Sequence, residues 1–223
     1  MRKQKQFLVL GLSRFGSSVA RALCEMGHEV LAVDRDPEAV EAIAPYVTQS
    51  VQADATDEEV LRSFEPASFD AAIVAIGGVD VADSMLVSLL CKEAGVPYVV
   101  SKAIDELHAK VLRKIGVDRV VFPERDMGQR LAKALVMPGI LEMMELADDY
   151  QIAEVLVPDG WIGRSLVQLN IRRVYHVNVL AIHRGKAFVA SPLADTVFQQ
   201  GDVVLLLGKQ DDIDSIDSQR RGS

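Results

Sequence analysis

Residues 7–34 read FLVLGLSRFGSSVARALCEMGHEVLAVD. An apolar strand, a glycine-punctuated turn, an amphipathic helix and a second apolar strand ending in an acid follow one another, as in a β-α-β unit that holds a nucleotide. Gly11 predicts a sharp turn off the first strand. Gly16 predicts a helix that lies close on the sheet, with its first-turn N–H groups facing phosphate. Asp34 ends the second strand, where its carboxylate can accept two ribose hydroxyls.

The middle position of the G-x-G-x-x-G pattern is Ser13 instead of glycine. Glycine there normally lets the backbone approach a pyrophosphate, so Ser13 argues against a closely bound dinucleotide. Its hydroxyl offers a bond to a phosphate oxygen, and Arg14 offers a charged fork that a purely structural turn does not need. The alternative is a β-α-β unit that binds nothing. The placement of strand, turn, helix and Asp34 favours nucleotide binding.

The composition limits the class of protein. The chain has 223 residues, enough for one or two domains, and a formal net charge of −8. The acidic total argues against a nucleic-acid-binding protein, which needs a basic face. No apolar run approaches the roughly twenty residues that span a bilayer, and the first residues lack the cleavage site of a signal peptide. We therefore expect a cytoplasmic protein that binds no nucleic acid.

Cysteines and histidines give no sign of a disulfide or of zinc. Cys24 and Cys91 lie in helical patterns without C-x-x-C spacing, which predicts small buried side chains in a reducing compartment. The four histidines are scattered and lack metal-ligand spacing.

Helices and strands continue to alternate as far as residue 122. Four further strands are predicted, over 48–52, 71–75, 97–101 and 119–122. Together with 7–10 and 29–34 they predict an α/β fold with a Rossmann-like, doubly wound parallel sheet.

In such a sheet the ligand lies in the crevice outside the carboxyl ends of the strands. The groups predicted at those ends are Ser13, Arg14, Asp34, Asp54, Gly77, Lys102 and Glu124. A lysine or glutamate at a strand end is often simply solvated. This rim combines positive side chains, acidic side chains and flexible turns. The combination favours a binding site for an adenine nucleotide and a cation.

Beyond residue 126 the pattern changes. A helical run over 128–136 is followed by Pro138-Gly139 and by 140–146, which is apolar nearly all round. We expect 140–146 to form a short helix. Because such a helix must be covered, we expect it to dock on a second subunit through adaptable methionines; packing in its own core is the alternative.

The last part of the chain predicts a smaller α+β domain. Its strands are expected over 152–157, 177–183, 187–191 and 203–207, with a closing helix over 211–216. The predicted boundaries are 1–136 for the nucleotide-binding domain, 137–149 for a helical crossover that dimerises, 150–218 for the α+β domain and 219–223 for a disordered tail.

Several short motifs resemble one known family. In the first domain they are GLSRFG (11–16), AIG (75–77), KA (102–103), KIGVD (114–118) and PERDM (123–127); in the second they are LNIR (169–172), AI (181–182), SP (191–192) and GD (201–202). The chain is similar to the RCK, or KTN, family of cytosolic regulatory subunits of Ktr- and Trk-type potassium transporters. Ser13 departs from the family pattern, which usually has glycine.

The resemblance implies a binding protein and not an enzyme. It implies homodimers that assemble into an octameric ring beneath a membrane potassium-transporting subunit, at the inner face of the cell membrane. ATP, ADP or NAD(H) would bias the shape of the ring. The residues agree with a binding function, since they supply a phosphate site without an evident nucleophile or catalytic acid–base pair. The alternative is an NAD(P)-dependent oxidoreductase with the same fold, for which His176 and His183 look like ordinary strand histidines.

The predicted nucleotide site combines the rim with its neighbours. Its residues are Gly11, Ser13, Arg14, Phe15, Gly16, Asp34, Arg35, Asp54, Ala55, Ile76, Gly77, Gly78, Lys102, Ala103, His108 and Glu124. Glu124 is also predicted to hold Mg²⁺ or Ca²⁺ against the phosphates, because a lone carboxylate beside a triphosphate is otherwise repelled. The alternative for Glu124 is an acid that interacts with a helix dipole.

The resemblance also implies a second ligand, cyclic di-AMP, at a dimer interface of the C-terminal domain. Its predicted site is Leu166, Asn170, Ile171, Arg172, Arg173, Val177 and Pro192. The two arginines offer adjacent guanidinium groups for two phosphates, and Ile171 and Pro192 offer apolar surfaces for purines. Alternatively, Ile171 and Val177 are core residues and the arginines form a solvated face.

Overall fold

A computed structural model describes residues 4–77, 81–136, 139–147 and 149–218. The chain divides into two compact units, Met1–Asp126 and Met127–Ser223. Predictions for Gly78, Pro138 and the tail 219–223 lie outside the described residues.

The first unit is a parallel sheet with helices on both faces. Its strands are β1 (Gln6–Leu10), β2 (Glu29–Asp34), β3 (Gln49–Gln52), β4 (Ala71–Val74), β5 (Val99–Lys102) and β6 (Arg119–Val121). Its helices are α1 (Arg14–Glu25), α2 (Pro37–Ile43), α3 (Glu58–Ser63), α4 (Val81–Glu93) and α5 (Glu106–Ile115), followed by α6 (Pro123–Val136), which extends into the second unit. The strand order β3-β2-β1-β4-β5-β6 confirms the doubly wound fold.

The direction of winding reverses between β1 and β4. Leu10 is in register with Val33 of β2 on one side and with Val74 of β4 on the other. The loops that leave these strands therefore diverge and open a crevice at the carboxyl edge. This is where the glycine turn after β1 meets the loop after β4.

Side chains of the sheet alternate between two cores. Leu8 and Leu10 pack in the core that includes helices α4 and α5, whereas Val9 packs with Ala20 of α1 in the other. Every residue of β4 is buried. Burial on both faces explains why these strands are continuous apolar runs instead of alternating ones.

The second unit is an antiparallel sheet with short helices. Its strands are β7 (Ile140–Ala147), β8 (Tyr150–Leu156), β9 (Asn178–Arg184), β10 (Ala187–Ala190) and β11 (Val203–Lys209), in the order β10-β9-β11-β8-β7. Its own helices are α7 (Leu166–Leu169), α8 (Ile171–Val174) and α9 (Gln210–Ser218). Trp161 and Phe198 are its largest buried side chains, and their ring centroids lie 5.3 Å apart. The predicted smaller α+β domain is confirmed.

The prediction of a helix over 140–146 was wrong, because this segment is strand β7. It pairs antiparallel with β8, with Met143 opposite Ala153 and Met144 opposite Ile152. Ile140 is buried in the core, whereas Leu141 and Met144 are exposed. Apolar residues on both faces of the strand hid its period of two. The domain boundaries at residues 136 and 149 stay predictions.

Candidate functional site

An open cavity of about 270 Å³ lies at the carboxyl ends of β1 to β4. Its lining consists of Gly11, Leu12, Ser13, Val33, Asp34, Arg35, Asp36, Ala39, Ala53, Asp54, Ala55, Thr56, Ala75, Ile76, Gly77 and Asp83. Half of the residues predicted to bind nucleotide are brought together here: Gly11, Ser13, Asp34, Arg35, Asp54, Ala55, Ile76 and Gly77. The predicted residues outside the lining are Arg14, Phe15, Gly16, Lys102, Ala103, His108 and Glu124.

Two glycines let the turn after β1 lie close to β4. Gly11 has φ 95°, and a Cβ there would lie 2.8 Å from the backbone nitrogen of Ile76. A Cβ at Gly16 would lie 2.0 Å from the Gly11 carbonyl oxygen. Neither contact is tolerable, so both glycines are required by the packing of the turn itself.

The carboxylate of Asp34 is fixed by the two loops beside it. Oδ2 accepts the Leu12 N–H at 2.5 Å, and Oδ1 accepts the Asp36 N–H at 2.9 Å. An ionised carboxylate has about four acceptor positions. Asp34 therefore keeps the capacity to accept two hydroxyl groups while its orientation is set by the backbone.

Helix α1 begins beside Asp34 with unsatisfied donors. Its first intrahelical bond runs from the Ser17 N–H to the Ser13 carbonyl oxygen at 2.9 Å, so the N–H groups of Arg14, Phe15 and Gly16 have no partner within the helix. No acidic side chain lies in the first turn. These N–H groups and the helix dipole favour an anion at this point.

The hydroxyl of Ser13 does not cap helix α1. Its Oγ donates instead to the carbonyl oxygen of Ala75 at 3.0 Å, which ties the glycine turn to the loop after β4. The predicted bond from this hydroxyl to phosphate therefore competes with a bond that the protein already makes.

The opposite wall of the cavity is built by an Asx turn after β3. Asp54 Oδ1 accepts the Thr56 hydroxyl at 2.7 Å and the Thr56 N–H at 2.9 Å. These bonds, the hydroxyl first, hold the pKa of Asp54 below its usual value, although burial opposes them. Asp54 thus remains an ionised acceptor at neutral pH.

The sequence prediction missed several lining residues. Asp83 of α4 lies 3.5 Å from the Nη1 of Arg35, so an ion pair joins two walls of the cavity. Asp36 caps α2, and Thr56 completes the Asx turn. The Asp-x-Thr spacing was the available signal for Thr56; no spacing in the sequence signals Asp83.

Lys102 and Glu124 form an ion pair next to this cavity. Lys102 Nζ donates to Glu124 Oε1 at 2.5 Å, and the same Nζ lies 3.4 Å from the place of a Cβ on Gly77. The Lys102 hydrogen bond is the main cause that lowers the pKa of Glu124, with smaller contributions from the charges of Lys102 and Arg14. The glutamate is therefore ionised, and the ammonium group of Lys102 partly balances its negative charge.

Glu124 stands alone as a ligand for a metal ion. In the described ranges, no group of three or more histidine, cysteine, aspartate or glutamate side chains could hold one. A single carboxylate fits only a cation whose other ligands are phosphate and water, as is common for Mg²⁺.

His108 differs from the other predicted ligands because it is buried. Its side chain is 2% exposed, and neither ring nitrogen has a hydrogen-bond partner among the described residues. Burial lowers its pKa, with partial opposition from Asp105. The ring is therefore neutral and belongs to the core under α5.

Comparison with known proteins identifies the family of the chain. The TrkA-N domain model matches residues 7–123, and the TrkA-C domain model matches residues 152–219. The chain belongs to the RCK (KTN) family. It is 41% identical over 210 residues to Ktr system potassium uptake protein C of Bacillus subtilis, covering 94% of this chain and 95% of that protein. It is 38% identical over 207 residues to Ktr system potassium uptake protein A of Vibrio alginolyticus, covering 93% and 94%.

Solved RCK structures share the fold. The GsuK channel superposes with a TM-score of 0.68 at 18% identity, over 95% of this chain and 38% of that one. The GsuK RCK domain gives 0.67 at 17% identity, over 100% and 48%. The domain models and the similarity to the Ktr proteins confirm the family predicted from the sequence motifs.

The residues predicted for a second ligand divide between core and surface of the C-terminal RCK unit. Ile171 and Val177 are buried in its hydrophobic core, which agrees with the alternative interpretation for these two. Arg172, Arg173 and Asn170 are exposed, whereas Leu166 and Pro192 are half-buried. Within the single chain, Ile171 therefore offers little surface for a purine.

The histidines considered for an oxidoreductase lie in the C-terminal unit. His176 is exposed and has φ 55°, and His183 is an exposed residue of β9 whose ring packs against Phe188. Neither histidine pairs with an acid in the ion pairs or hydrogen bonds found for the described residues.

Proposed function

We propose that this protein is a regulatory subunit of a Ktr- or Trk-type potassium-uptake system and that its cavity senses adenine nucleotides. The observation that carries the proposal is the oriented carboxylate of Asp34 beside the uncapped start of α1. A ribose acceptor and a set of phosphate donors thus share one cavity. ATP and ADP are the proposed ligands, with NAD(H) as a further ligand of the same site.

The roles of the residues follow from their positions. Asp34 accepts the ribose hydroxyls, and the N–H groups at the start of α1 face phosphate. Arg14, exposed in the first turn, meets the terminal phosphate of ATP. Its charge already lowers the pKa of Glu124, so the two side chains are electrostatically coupled.

Glu124 is proposed to hold Mg²⁺ or Ca²⁺ together with the phosphates. The lowered pKa of Glu124 is consistent with this role, because its carboxylate is ionised, whereas the Lys102 ammonium that pairs with it competes with a cation. A bound nucleotide would supply the remaining oxygen ligands. Removal of the cation should then weaken ATP binding in wild type but not in Glu124→Gln, and an equal effect on both would contradict the role.

The proposed partner is a membrane potassium-transporting subunit, which places the protein in the cytoplasm at the inner face of the membrane. The similarity to Ktr system potassium uptake proteins over more than nine-tenths of the chain supports it. We propose homodimers that assemble into an octameric ring. The described helices include none long and apolar enough to cross a membrane.

Cyclic di-AMP is proposed as the ligand of the C-terminal unit. The exposed guanidinium groups of Arg172 and Arg173 support phosphate binding, and Asn170 can reach a base edge. Ile171 and Val177 would shape this surface from the core beneath it. If calorimetry detects no heat of binding when cyclic di-AMP is added to the full chain, this part of the proposal is refuted.

Ligand-dependent thermal unfolding tests the nucleotide site. A true ligand at about 100 times its Kd should raise the free energy of unfolding by about 2.7 kcal/mol. ATP and ADP should stabilise wild type, Asp34→Asn should abolish the effect of both, and Arg14→Ala should reduce that of ATP more. Asp57→Asn is the matched control, because Asp57 caps α3 and does not line the cavity. Lack of stabilisation of wild type by any nucleotide would refute the proposal.

A further inference from the structure

The three positions of the glycine turn differ in what the fold requires. Gly11 has φ 95°, and a Cβ at Gly16 would collide with the Gly11 carbonyl oxygen. Ser13 has φ −56° and ψ 172°, which any L-residue adopts without strain. The fold therefore requires glycine at 11 and 16 but not at 13. Only a ligand that lies against the backbone would require it at 13.

The Ser13 side chain is engaged between two loops that line the cavity. Oγ donates to the Ala75 carbonyl oxygen at 3.0 Å, and the Ala75 N–H donates to Leu10 of β1 at 2.7 Å. A serine hydroxyl has one hydrogen and two lone pairs. With its hydrogen directed at Ala75, Oγ presents only lone pairs to the cavity. Phosphate oxygens are acceptors as well, so they are repelled at close range.

This arrangement affects two kinds of nucleotide differently. The pyrophosphate of a dinucleotide is joined to a nucleoside at each end, so it cannot turn away from the middle residue of the turn. A terminal phosphate is joined at one end only and can tilt toward the N–H groups of Arg14, Phe15 and Gly16. The Cβ and Oγ of Ser13 therefore obstruct the first ligand more than the second.

We propose that Ser13 is a specificity-determining residue that lowers the affinity for dinucleotides relative to adenosine di- and triphosphates. Both the bulk of the side chain and its bond to Ala75 contribute. If the hydroxyl turned toward phosphate, the Ala75 carbonyl oxygen would lose this partner. The inference rests on the proposed function, since it requires that the cavity hold a nucleotide.

Calorimetric titration of the full chain with ADP and with NADH tests the role of Ser13. Ser13→Gly removes both bulk and hydroxyl, and Ser13→Ala removes the hydroxyl alone. Ser17→Ala is the matched control, because the Ser17 hydroxyl donates to the Leu12 carbonyl oxygen at 2.9 Å in the same turn. We expect the ratio of the NADH Kd to the ADP Kd to fall about tenfold in Ser13→Gly and less in Ser13→Ala. Ser17→Ala should leave it unchanged.

The outcomes separate this inference from the proposed function. If all variants bind ADP and the ratio is the same in wild type and both Ser13 variants, Ser13 has no role in specificity and the nucleotide site stands. If wild type binds neither ligand but Ser13→Gly binds NADH, the role of Ser13 stands and adenine-nucleotide sensing does not. No binding by any variant overturns both. Thermal unfolding shows whether each variant is folded. If Ser13→Gly does not fold, the result for Ser13→Ala decides the question.

Discussion

The carboxylate of Asp202 has no exposed surface, yet both of its oxygens accept hydrogen bonds. It accepts bonds from Arg184 Nε and Nη2, each at 2.7 Å, and from the Gln199 N–H at 2.8 Å. Burial alone raises the pKa of Asp202, but the bonds and the charge of Arg184 outweigh it and hold the pKa below the ordinary 3.8. Since the folded pKa is lowered, the stabilisation is present above the unfolded pKa and is lost as pH falls through the folded one.

We expect Asp202→Asn to lower the free energy of unfolding at neutral pH by about 2 to 3 kcal/mol, because Arg184 is left without its carboxylate. The loss should shrink as the pH falls below the ordinary carboxyl pKa of 3.8 and through the lower folded pKa of Asp202, where wild type itself becomes protonated. Denaturant unfolding measures both. Glu58→Gln is the control; its exposed pair with Arg62 should contribute at most about 0.5 kcal/mol. A pH-independent difference between Asp202→Asn and wild type would refute the linkage.

Helix α1 lies so close to the turn after β1 at Gly16 that one added methyl group should disturb it. A Cβ on Gly16 would meet backbone 2.0 Å away and the Cβ of Ala75 at 2.9 Å. Gly16→Ala should therefore push the helix off the turn, destabilise the protein by about 1 to 3 kcal/mol and abolish nucleotide-dependent stabilisation.

Gly128→Ala provides the matched control at the same scale. Gly128 also lies in a helix, α6, but nothing stands within 4 Å of the position of its Cβ. The substitution should stabilise the protein by up to about 1 kcal/mol through helix propensity and leave nucleotide binding unchanged. Equal effects of the two substitutions, measured by thermal unfolding with and without ADP, would contradict the packing argument.

The elements that were predictable are those with a strong local signal. The strands and helices of the first unit follow from apolar runs and caps such as Asp36 and Asp105. Strand β7 was missed because apolar residues occupy both of its faces. Asp34 was predictable from its place after β2, but Asp83 comes from another element. The bond from Ser13 to Ala75 joins residues distant in sequence, which no local pattern encodes.

For the molecule as a whole, the C-terminal unit carries apolar side chains that are exposed to solvent in the single chain. Leu131 and Leu135, one turn apart on α6, are 60% and 75% exposed, and Leu141 and Met144 of β7 are 48% and 62% exposed. Neighbouring exposed apolar side chains, such as Leu131 and Leu135, mark protein-protein contacts more often than scattered ones do. They support the proposed docking of this region on a second subunit, even though β7 is a strand and not the expected helix.

The proposed ring makes a prediction about size and shape. Wild type should elute as a large assembly whose mass by light scattering is a multiple of the dimer, and its scattering profile should differ between ATP and ADP. Leu135→Glu should reduce the mass, because it places a charge in the apolar contact. Asp34→Asn is the informative control: it should keep the mass but lose the difference between nucleotides, since the proposed assembly surface and the proposed nucleotide site use different residues. A wild-type protein that stays monomeric with every nucleotide would refute the ring. Thermal stabilisation by ADP could still be observed in that case, because the cavity lies within a single unit.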